Sequence, residues 1–257
     1  MDFRVLGPLR VASEGVERRL GAAKQRMLLG VLLVNADRVV SADRLMEAMW
    51  TNGQPDSGLK TLRYHLSKLR RWLEPDRSNG SQGVIITEAD GYLLRVAPEQ
   101  IDAGRFERLA AEGSRLLTED ELRLARATLA EALDLWRGDA FDDFRYDEFA
   151  QADIARLAAL RLSCREDRIA ADLDLGDHRD VLGELCHLTT AFPFRERLWG
   201  QLMVALYRDG QQGQALRAYQ DASEVLGGEF GLEPTLLLRD LRNRIALSEL
   251  PLEPRPR

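Results

Sequence analysis

The segment from Ser57 to Leu73 concentrates basic side chains and contains no acidic one. It holds five Lys or Arg residues and no Asp or Glu. A solvated helix usually mixes the two signs of charge, because opposite charges at i and i+4 stabilise it. Duplex DNA presents closely spaced phosphates, and its major groove admits a helix whose Arg and Lys side chains reach guanine edges and phosphate oxygens. The composition therefore favours a DNA-binding helix over a basic surface without a partner.

The candidate DNA contacts lie on the polar surface of this predicted helix and at two further places. The helix supplies Lys60, Thr61, Arg63, Tyr64, His65, Ser67, Lys68, Arg70 and Arg71. Lys24 and Arg26 open an earlier apolar helix, where each is consistent with a phosphate contact or with an ordinary surface charge. Thr87 lies in a later extended segment and is expected to donate its hydroxyl to a phosphate.

Hydrophobic periodicity predicts how the basic helix is held. Its leucines recur at helical spacing, so one apolar stripe is expected to face a core: Leu59, Leu62, Leu66, Leu69 and Leu73. Asp56 or Ser57 is expected to cap this helix. Upstream, apolar residues at helical spacing predict one helix from Ala22 to about Asn35 and a second one that Ser41 caps and that ends near Trp50.

The flanking segments predict two small β elements. Short apolar stretches between Phe3 and Leu20, separated by Gly and Pro, predict an antiparallel sheet. After the basic helix, two alternating runs flank Asp90-Gly91, a strong hairpin signal. The order helix, helix, loop, basic helix and hairpin describes a winged helix-turn-helix rather than a homeodomain or a ribbon reader. We assign residues 1–97 to this domain, in which 15 Lys and Arg outnumber 11 Asp and Glu.

The remainder of the chain is acidic and predominantly helical in pattern. From residue 98 onward, 21 basic side chains face 31 acidic ones. Gly176 and Gly210 are 34 residues apart, and apolar positions repeat at the same shift, which is the period of tetratricopeptide helix pairs. Such pairs stack into a concave scaffold that binds other molecules. The predicted fold is therefore mainly α with small β elements: a winged helix, an all-α repeat domain over 98–250 and a tail over 251–257.

Several separated strings resemble one family in the order that the family has them. The strings Leu6-Gly7-Pro8-Leu9, Lys24 to Leu29, Ser67 to Arg71 and Gly91 to Leu94 resemble the OmpR/PhoB-type DNA-binding domain as it occurs in the Streptomyces antibiotic regulatory protein (SARP) family. Later strings resemble the bacterial transcriptional activation domain that follows it there: Asp102 to Phe106, Leu133 to Gly138, Phe194 to Trp199, Leu206 to Arg208 and Gly231 to Pro234.

The resemblance implies a cytoplasmic, nucleoid-associated activator that binds direct repeats near promoters as a dimer and serves specialised-metabolite clusters such as those for antibiotics. Matching to the family places Arg63 and Lys68 at base edges, and Thr61, His65, Ser67, Arg70 and Arg71 near phosphates. It also implies contact with RNA polymerase, through its sigma factor, alpha subunit or beta subunits. The matching loop is Trp50, Thr51, Asn52, Gly53, Gln54 and Asp56. By composition alone, this loop is only a turn.

Other function classes find little support in the residues. No nucleophile and base lie together, no metal-ligand cluster occurs and no GxxxxGK phosphate loop is present, so neither an enzyme nor a cofactor or metal site is expected. No apolar run is long enough to span a membrane. We expect Cys164 and Cys186 to be core thiols and the carboxylates between Asp142 and Glu148 to form a solvated loop. The open alternative is a protein-binding helical-repeat adaptor with incidental DNA affinity.

Overall fold

The computed structural model describes residues 1–13, 16–50, 53, 55–75 and 83–251. The strands are β1 (Asp2–Arg4), β2 (Arg10–Ser13), β3 (Val16–Arg18), β4 (Val39–Val40), β5 (Ile85–Glu88) and β6 (Gly91–Leu94). The helices are α1 (Ala23–Val34), α2 (Ala42–Met49), α3 (Gly58–Leu73), α4 (Asp102–Thr118), α5 (Leu122–Asp134), α6 (Glu148–Leu175), α7 (His178–Ala191), α8 (Glu196–Arg208), α9 (Gln212–Phe230) and α10 (Leu236–Ala246). The predicted fold class, mainly α with small sheets, is confirmed.

The chain forms two compact units. The first contains Met1–Leu109 and Ala132–Arg161, and the second contains Ala110–Glu131 and the residues from Leu162 onward. The boundary between residues 97 and 98 stays a prediction about domains, and these units divide the chain differently from it. No described helix is long and apolar enough to cross a bilayer.

The first unit contains the winged helix. Strands β1, β2 and β3 form one antiparallel sheet, in which Phe3 pairs with Val11. Strands β4, β6 and β5 form a second antiparallel sheet. Helix α1 packs against α2 and α3 and buries its middle and end, from Leu28 to Leu33. Ser41 caps α2 as predicted, because its hydroxyl accepts a hydrogen bond from the Arg44 backbone N–H at 3.2 Å.

The hairpin forms where it was predicted, but for a different reason. Glu88 pairs with Gly91, so the two turn residues are Ala89 and Asp90, and neither has a positive φ. Gly91 is needed because of its neighbour: a Cβ atom built there would lie 2.0 Å from the carbonyl oxygen of Val40. The glycine therefore permits close approach of β4 and β6 rather than a left-handed turn.

The second unit is built from packed helix pairs. Apolar side chains of α7, α8 and α9 share one core with residues of α6 and α10. Gly176 and Gly210, with φ of 94° and 77°, end the helices that precede α7 and α9, so the 34-residue shift corresponds to equivalent joints. Cys164 is buried, and burial raises the pKa of its thiol to about 12. Cys186 is exposed on α7, so the prediction of two core thiols is wrong for this residue.

A buried carboxylate anchors the N-terminal segment of the first unit. Asp102, at the start of α4, is 2% exposed. One of its oxygens accepts the Val5 N–H at 2.7 Å, and both lie 3.2–3.3 Å from the Leu6 nitrogen. Arg137 donates to the same carboxylate at 3.3 Å. Burial raises the pKa of Asp102, while the two amides and Arg137 oppose that rise. The carboxylate thus satisfies two backbone donors that no strand partner reaches.

Residues 132–161 bind the same N-terminal segment through further hydrogen bonds. The backbone N–H groups of Arg137 and Phe141 donate to the carbonyls of Leu6 and Val5 at 2.8 and 2.7 Å. Asp143 accepts the Leu9 N–H at 2.6 Å. The predicted solvated acidic loop is therefore wrong for Asp143, whose side chain is only 12% exposed. Asp143 anchors the backbone at Leu9, which is 134 positions away and therefore outside the reach of local spacing.

Replacing Asp102 tests the importance of this anchor. We expect Asp102→Ala to lower the free energy of unfolding by about 2–4 kcal/mol, because it leaves two buried N–H groups and Arg137 without their acceptor. Glu131→Ala, at an exposed position of α5, is the matched control and should change stability by less than about 0.5 kcal/mol. Urea unfolding followed by circular dichroism measures both. Equal, small effects of the two substitutions would show that the anchor is dispensable.

Candidate nucleic-acid interface

Helix α3 has one buried face and one exposed face. Leu62, Leu66, Leu69 and Leu73 are 0–4% exposed. The opposite side carries exposed polar or basic side chains at Lys60, Arg63, Tyr64, Ser67, Lys68 and Arg71, and partly exposed ones at Thr61, His65 and Arg70. All nine predicted contact residues of this helix therefore belong to the part of its surface outside the leucine stripe.

The first turn of α3 departs from the prediction. Leu59 is 42% exposed, so it is wrong to place it in the core stripe. Gly58 takes the buried position instead, and a Cβ atom there would lie 3.3 Å from the sulfur of Met46. Leu59 is rotated by one residue, about 100°, away from this contact. Ser57 occupies the N-cap position, but its side chain makes no capping hydrogen bond; its carbonyl accepts the Thr61 hydroxyl at 3.1 Å.

The basic side chains of α3 fall into two groups. Lys60, Arg63, Lys68 and Arg71 form no ion pair with any carboxylate in the described part of the chain. Lys68 lies over the Tyr64 ring, with its ammonium nitrogen 5.6 Å from the ring centre. These four cations therefore stand on an exposed surface without a described intramolecular counter-charge, which leaves them free to meet phosphates.

Arg70 makes a different set of contacts. Its Nε donates to the Ile85 carbonyl at 3.0 Å, and a terminal nitrogen donates to the Thr87 hydroxyl at 2.7 Å. The guanidinium also lies 5.9 Å from the centre of the Tyr92 ring. The structure thus brings two predicted phosphate ligands, Arg70 and Thr87, together and joins the basic helix to the hairpin. These contacts position the hairpin relative to α3.

His65 is partly exposed on the same surface of α3. Its Nδ1 is buried and has no hydrogen-bond partner among the described residues. Burial lowers the pKa of this imidazole, and the charge of Lys24 lowers it further. The start of α1 therefore lies within electrostatic reach of the middle of α3. A phosphate placed near His65 would oppose both effects and favour the protonated ring.

The two basic residues at the start of α1 are held by local contacts. The Lys24 ammonium lies 4.4 Å from the centre of the Trp50 ring. Arg26 donates to the carbonyls of Leu20 and Gly21, both at 2.9 Å. Lys24 is thus part of the surface around His65, whereas Arg26 stabilises the backbone of Leu20 and Gly21, just before α1. Their DNA contacts stay predictions.

The loop predicted to contact polymerase is described only in part. Trp50 is half-buried beneath Lys24, while Gly53 and Asp56 are exposed. Gly53 has a φ of 99°, which a residue with a side chain adopts only under strain. Thr51, Asn52 and Gln54 lie outside the described residues.

Comparison with known proteins identifies two families of domain along the chain. Residues 18–94 match the family described as transcriptional regulatory protein, C terminal, and residues 101–246 match the bacterial transcriptional activator domain. The regulatory protein DnrI of Streptomyces peucetius is 38% identical over 249 residues, which cover 95% of this chain and 92% of DnrI. The chain belongs to the SARP family.

Other relatives place this SARP among transcriptional regulators of different length. The regulatory protein AfsR of Streptomyces coelicolor is 37% identical over 97% of this chain, which spans 25% of AfsR. The transcriptional regulator RedD of Streptomyces coelicolor is 34% identical over 93% of this chain, which spans 68% of RedD. A solved structure of Mycobacterium tuberculosis EmbR in complex with a low-affinity phosphopeptide superposes with a TM-score of 0.89 at 31% identity, over 98% of this chain and 66% of EmbR.

The relatives support a role in transcription regulation for this SARP and give no support to an enzyme. The first matched region runs from Arg18, the last residue of β3, to the end of β6 and so contains α1, α2, α3 and the hairpin. It leaves out β1 and β2, the strands next to the segment that Asp102 anchors. The anchoring residues Asp102 and Arg137 lie in the second matched region.

The bond between α3 and the hairpin yields a testable prediction. Arg70→Ala should lower the free energy of unfolding by about 1–2 kcal/mol, because it removes hydrogen bonds to Ile85 and Thr87 and leaves a partly buried carbonyl unpaired. Arg71→Ala, one residue further on the same helix, is exposed and should change stability by less than about 0.5 kcal/mol. Chemical unfolding of the two variants measures the difference. A loss for Arg71→Ala as large as that for Arg70→Ala would contradict the assignment.

Proposed function

We propose that this chain binds double-stranded promoter DNA through the exposed face of α3 and activates transcription there. The observation that carries the proposal is the set of four exposed cations on α3 that have no carboxylate partner in the described residues. The nearest acidic residues in sequence, Asp56 and Glu74, both flank the helix rather than interrupt its exposed face. A phosphate backbone supplies the counter-charges that this surface lacks.

Arg63 and Lys68 are proposed to contact base edges in the major groove. Both side chains are exposed on α3, where the helix can enter the groove with its leucines turned toward the protein. Lys60, Thr61, Ser67, Arg71 and Lys24 are proposed to contact phosphates around them. Arg70, Thr87, His65 and Tyr64 then complete the surface, with Arg70 acting chiefly by holding the hairpin. Glu88 and Asp90 at the tip of the hairpin are exposed acids, so the hairpin is not proposed to read bases.

Activation is proposed to require RNA polymerase as a second partner. The exposed residues Gly53 and Asp56, with Trp50, Thr51, Asn52 and Gln54, form the proposed contact loop for the sigma factor, the alpha subunit or the beta subunits. We further propose that the chain binds direct repeats as a dimer. These repeats would lie at the promoters of a specialised-metabolite cluster in the nucleoid. The support for this proposal is membership of the SARP family and the named regulators to which the chain is similar. Residues 1–97 would supply DNA binding and residues 98–250 would support activation.

Two neighbouring substitutions on α3 test base reading against phosphate binding. Lys68→Ala should reduce the preference for the operator over unrelated duplex by about tenfold, since one base contact accounts for about 1–3 kcal/mol. Arg71→Ala should weaken both duplexes equally and reduce the slope of log affinity against log salt by about 1. Fluorescence anisotropy with direct-repeat duplexes from promoters beside the gene measures both effects.

Arg123→Ala, at an exposed position of α5, is the control and should leave DNA binding unchanged. Failure of the unaltered chain to bind any of these duplexes at low salt would contradict the proposal. Such a failure, together with capture of a protein partner by the helical unit, would instead favour the adaptor that the sequence left open. If the chain binds these duplexes but both α3 variants bind them as the control does, another surface of the chain must recognise the DNA.

A further inference from the structure

The second unit contains a groove that the proposed DNA-binding function does not use. It has a volume of about 1040 Å³ and opens along α8 and α10, with residues of α6 and the start of α5 completing its walls. Its apolar lining includes Leu122, Leu173, Val204, Leu238 and Leu241. None of the predicted DNA or polymerase contacts lines it. Pockets of about 300–1,000 Å³ hold drug-sized molecules, so this groove is large enough for one.

Three arginines line the same groove, and they differ in their partners. Arg197 pairs with Asp167 at 2.6 Å and lies 3.5 Å from Glu166. Arg208 donates to the carbonyl of Leu173, and neither Arg208 nor Arg244 forms an ion pair with a carboxylate among the described residues. Within the described part of the chain, these two cations beside an apolar groove therefore lack an ion-paired carboxylate.

The acids that line this groove have interactions of their own. Glu196 accepts the backbone N–H and the hydroxyl of Thr235 at 2.9 and 2.7 Å. Asp120 and Asp174 are exposed. Asp174 acts on Arg208 through its charge, which opposes the lowering of the Arg208 pKa by burial. None of these carboxylates forms an ion pair with Arg208 or Arg244 in the described part of the chain.

Two residues that line the groove each have a buried polar atom without a hydrogen-bond partner among the described residues. The atoms are Nε of Arg208 and Oε1 of Gln201. Gln201 is only 8% exposed, and its amide nitrogen donates to the Glu166 carbonyl at 2.7 Å, which fixes the amide and leaves its oxygen unpaired. A buried polar group without a partner costs about 1–3 kcal/mol, so groups of this kind are usually satisfied by water or by a ligand.

We propose that this groove is a binding site for a small amphipathic acid, a molecule with an apolar body and one anionic group. The leucines and Val204 would cover the apolar body. Arg208 and Arg244 would bind the anion, and the oxygen of Gln201 would accept a hydroxyl or N–H group of the ligand. Arg208 is half-buried, and a partly desolvated charge binds an opposite charge more strongly than an exposed one does. Together with exposed Arg244, it would make the site selective for acids.

The fluorescent sulfonate 8-anilinonaphthalene-1-sulfonate provides a probe of this chemistry, used with the full chain. We expect one probe molecule to bind per chain, and Arg208→Gln and Arg244→Gln each to weaken binding about tenfold. Arg217→Gln, at an exposed position of α9 outside the groove, is the matched control and should bind as the unaltered chain does. Val204→Phe should also abolish most binding, because it fills the groove without changing charge.

Competition separates an acid site from a merely apolar one. Decanoate should displace the probe at concentrations at least about tenfold lower than 1-decanol, which has the same chain length without the charge. Thermal melts of each variant confirm that the chain is folded, since the probe also binds loosened proteins. Arg208 is half-buried, so Arg208→Gln can destabilise the fold. If that variant unfolds, the binding of the probe to Arg244→Gln, at an exposed position, decides the test. Equal displacement by decanol, or unchanged probe binding in the folded Arg244→Gln and Val204→Phe variants, would overturn the proposal.

Discussion

Burial of the leucine stripe on α3 is the constraint on which the proposed interface depends. Leu62, Leu66, Leu69 and Leu73 are almost completely buried. Burying one leucine contributes about 1.5–3 kcal/mol, so turning this helix over would sacrifice roughly 6–12 kcal/mol. That amount is comparable with the stability of a whole domain. Packing therefore determines which residues point outward, and the basic side chains are exposed because the leucines cannot be.

The buried carboxylate of Asp102 has a complementary role in the same unit. The leucines orient α3, whereas Asp102 and residues from Arg137 to Asp143 hold the backbone between Val5 and Leu9. A buried carboxylate is costly unless several donors surround it, and here two amides and a guanidinium do so. The first compact unit therefore includes residues that the family comparison assigns to the activator domain. A fragment that ends at residue 97 would lack this anchor.

Local patterns predicted those parts of the molecule that local forces determine. The helices α1 to α3 followed from apolar spacing, the position of the hairpin from its alternating strands, and the repeat from glycines at equivalent helix joints. The bonds from Asp102 and Asp143 were missed because they join residues 97 and 134 positions apart. Leu59 was misplaced because Gly58 packs on Met46 and shifts the buried face at the first turn. Periodicity identifies a face but not the neighbour against which it packs.

In the candidate site, too, local sequence predicted some features, and others depend on tertiary structure. Composition alone identified the basic segment, and its polar residues do lie on the side of α3 away from the leucines. Composition did not reveal that Arg70 binds Ile85 and Thr87, because a contact between helix and hairpin depends on tertiary structure. Nor did it reveal that Arg208 and Arg244 form no ion pair among the described residues, since the pairing of a charge is a property of the folded chain. Residue type indicated the chemistry, and packing determined which side chains are available for it.

Photo-crosslinking from the exposed face of α3 tests most directly whether this face contacts DNA. The photoreactive amino acid p-benzoylphenylalanine would replace Ser67, which is exposed between Arg63 and Arg71, or Gln220, which is exposed on α9. With promoter duplex, we expect a covalent adduct from position 67 and none from position 220. An adduct from position 220 alone, or the absence of any adduct at position 67 in a chain that still binds the duplex, would contradict it.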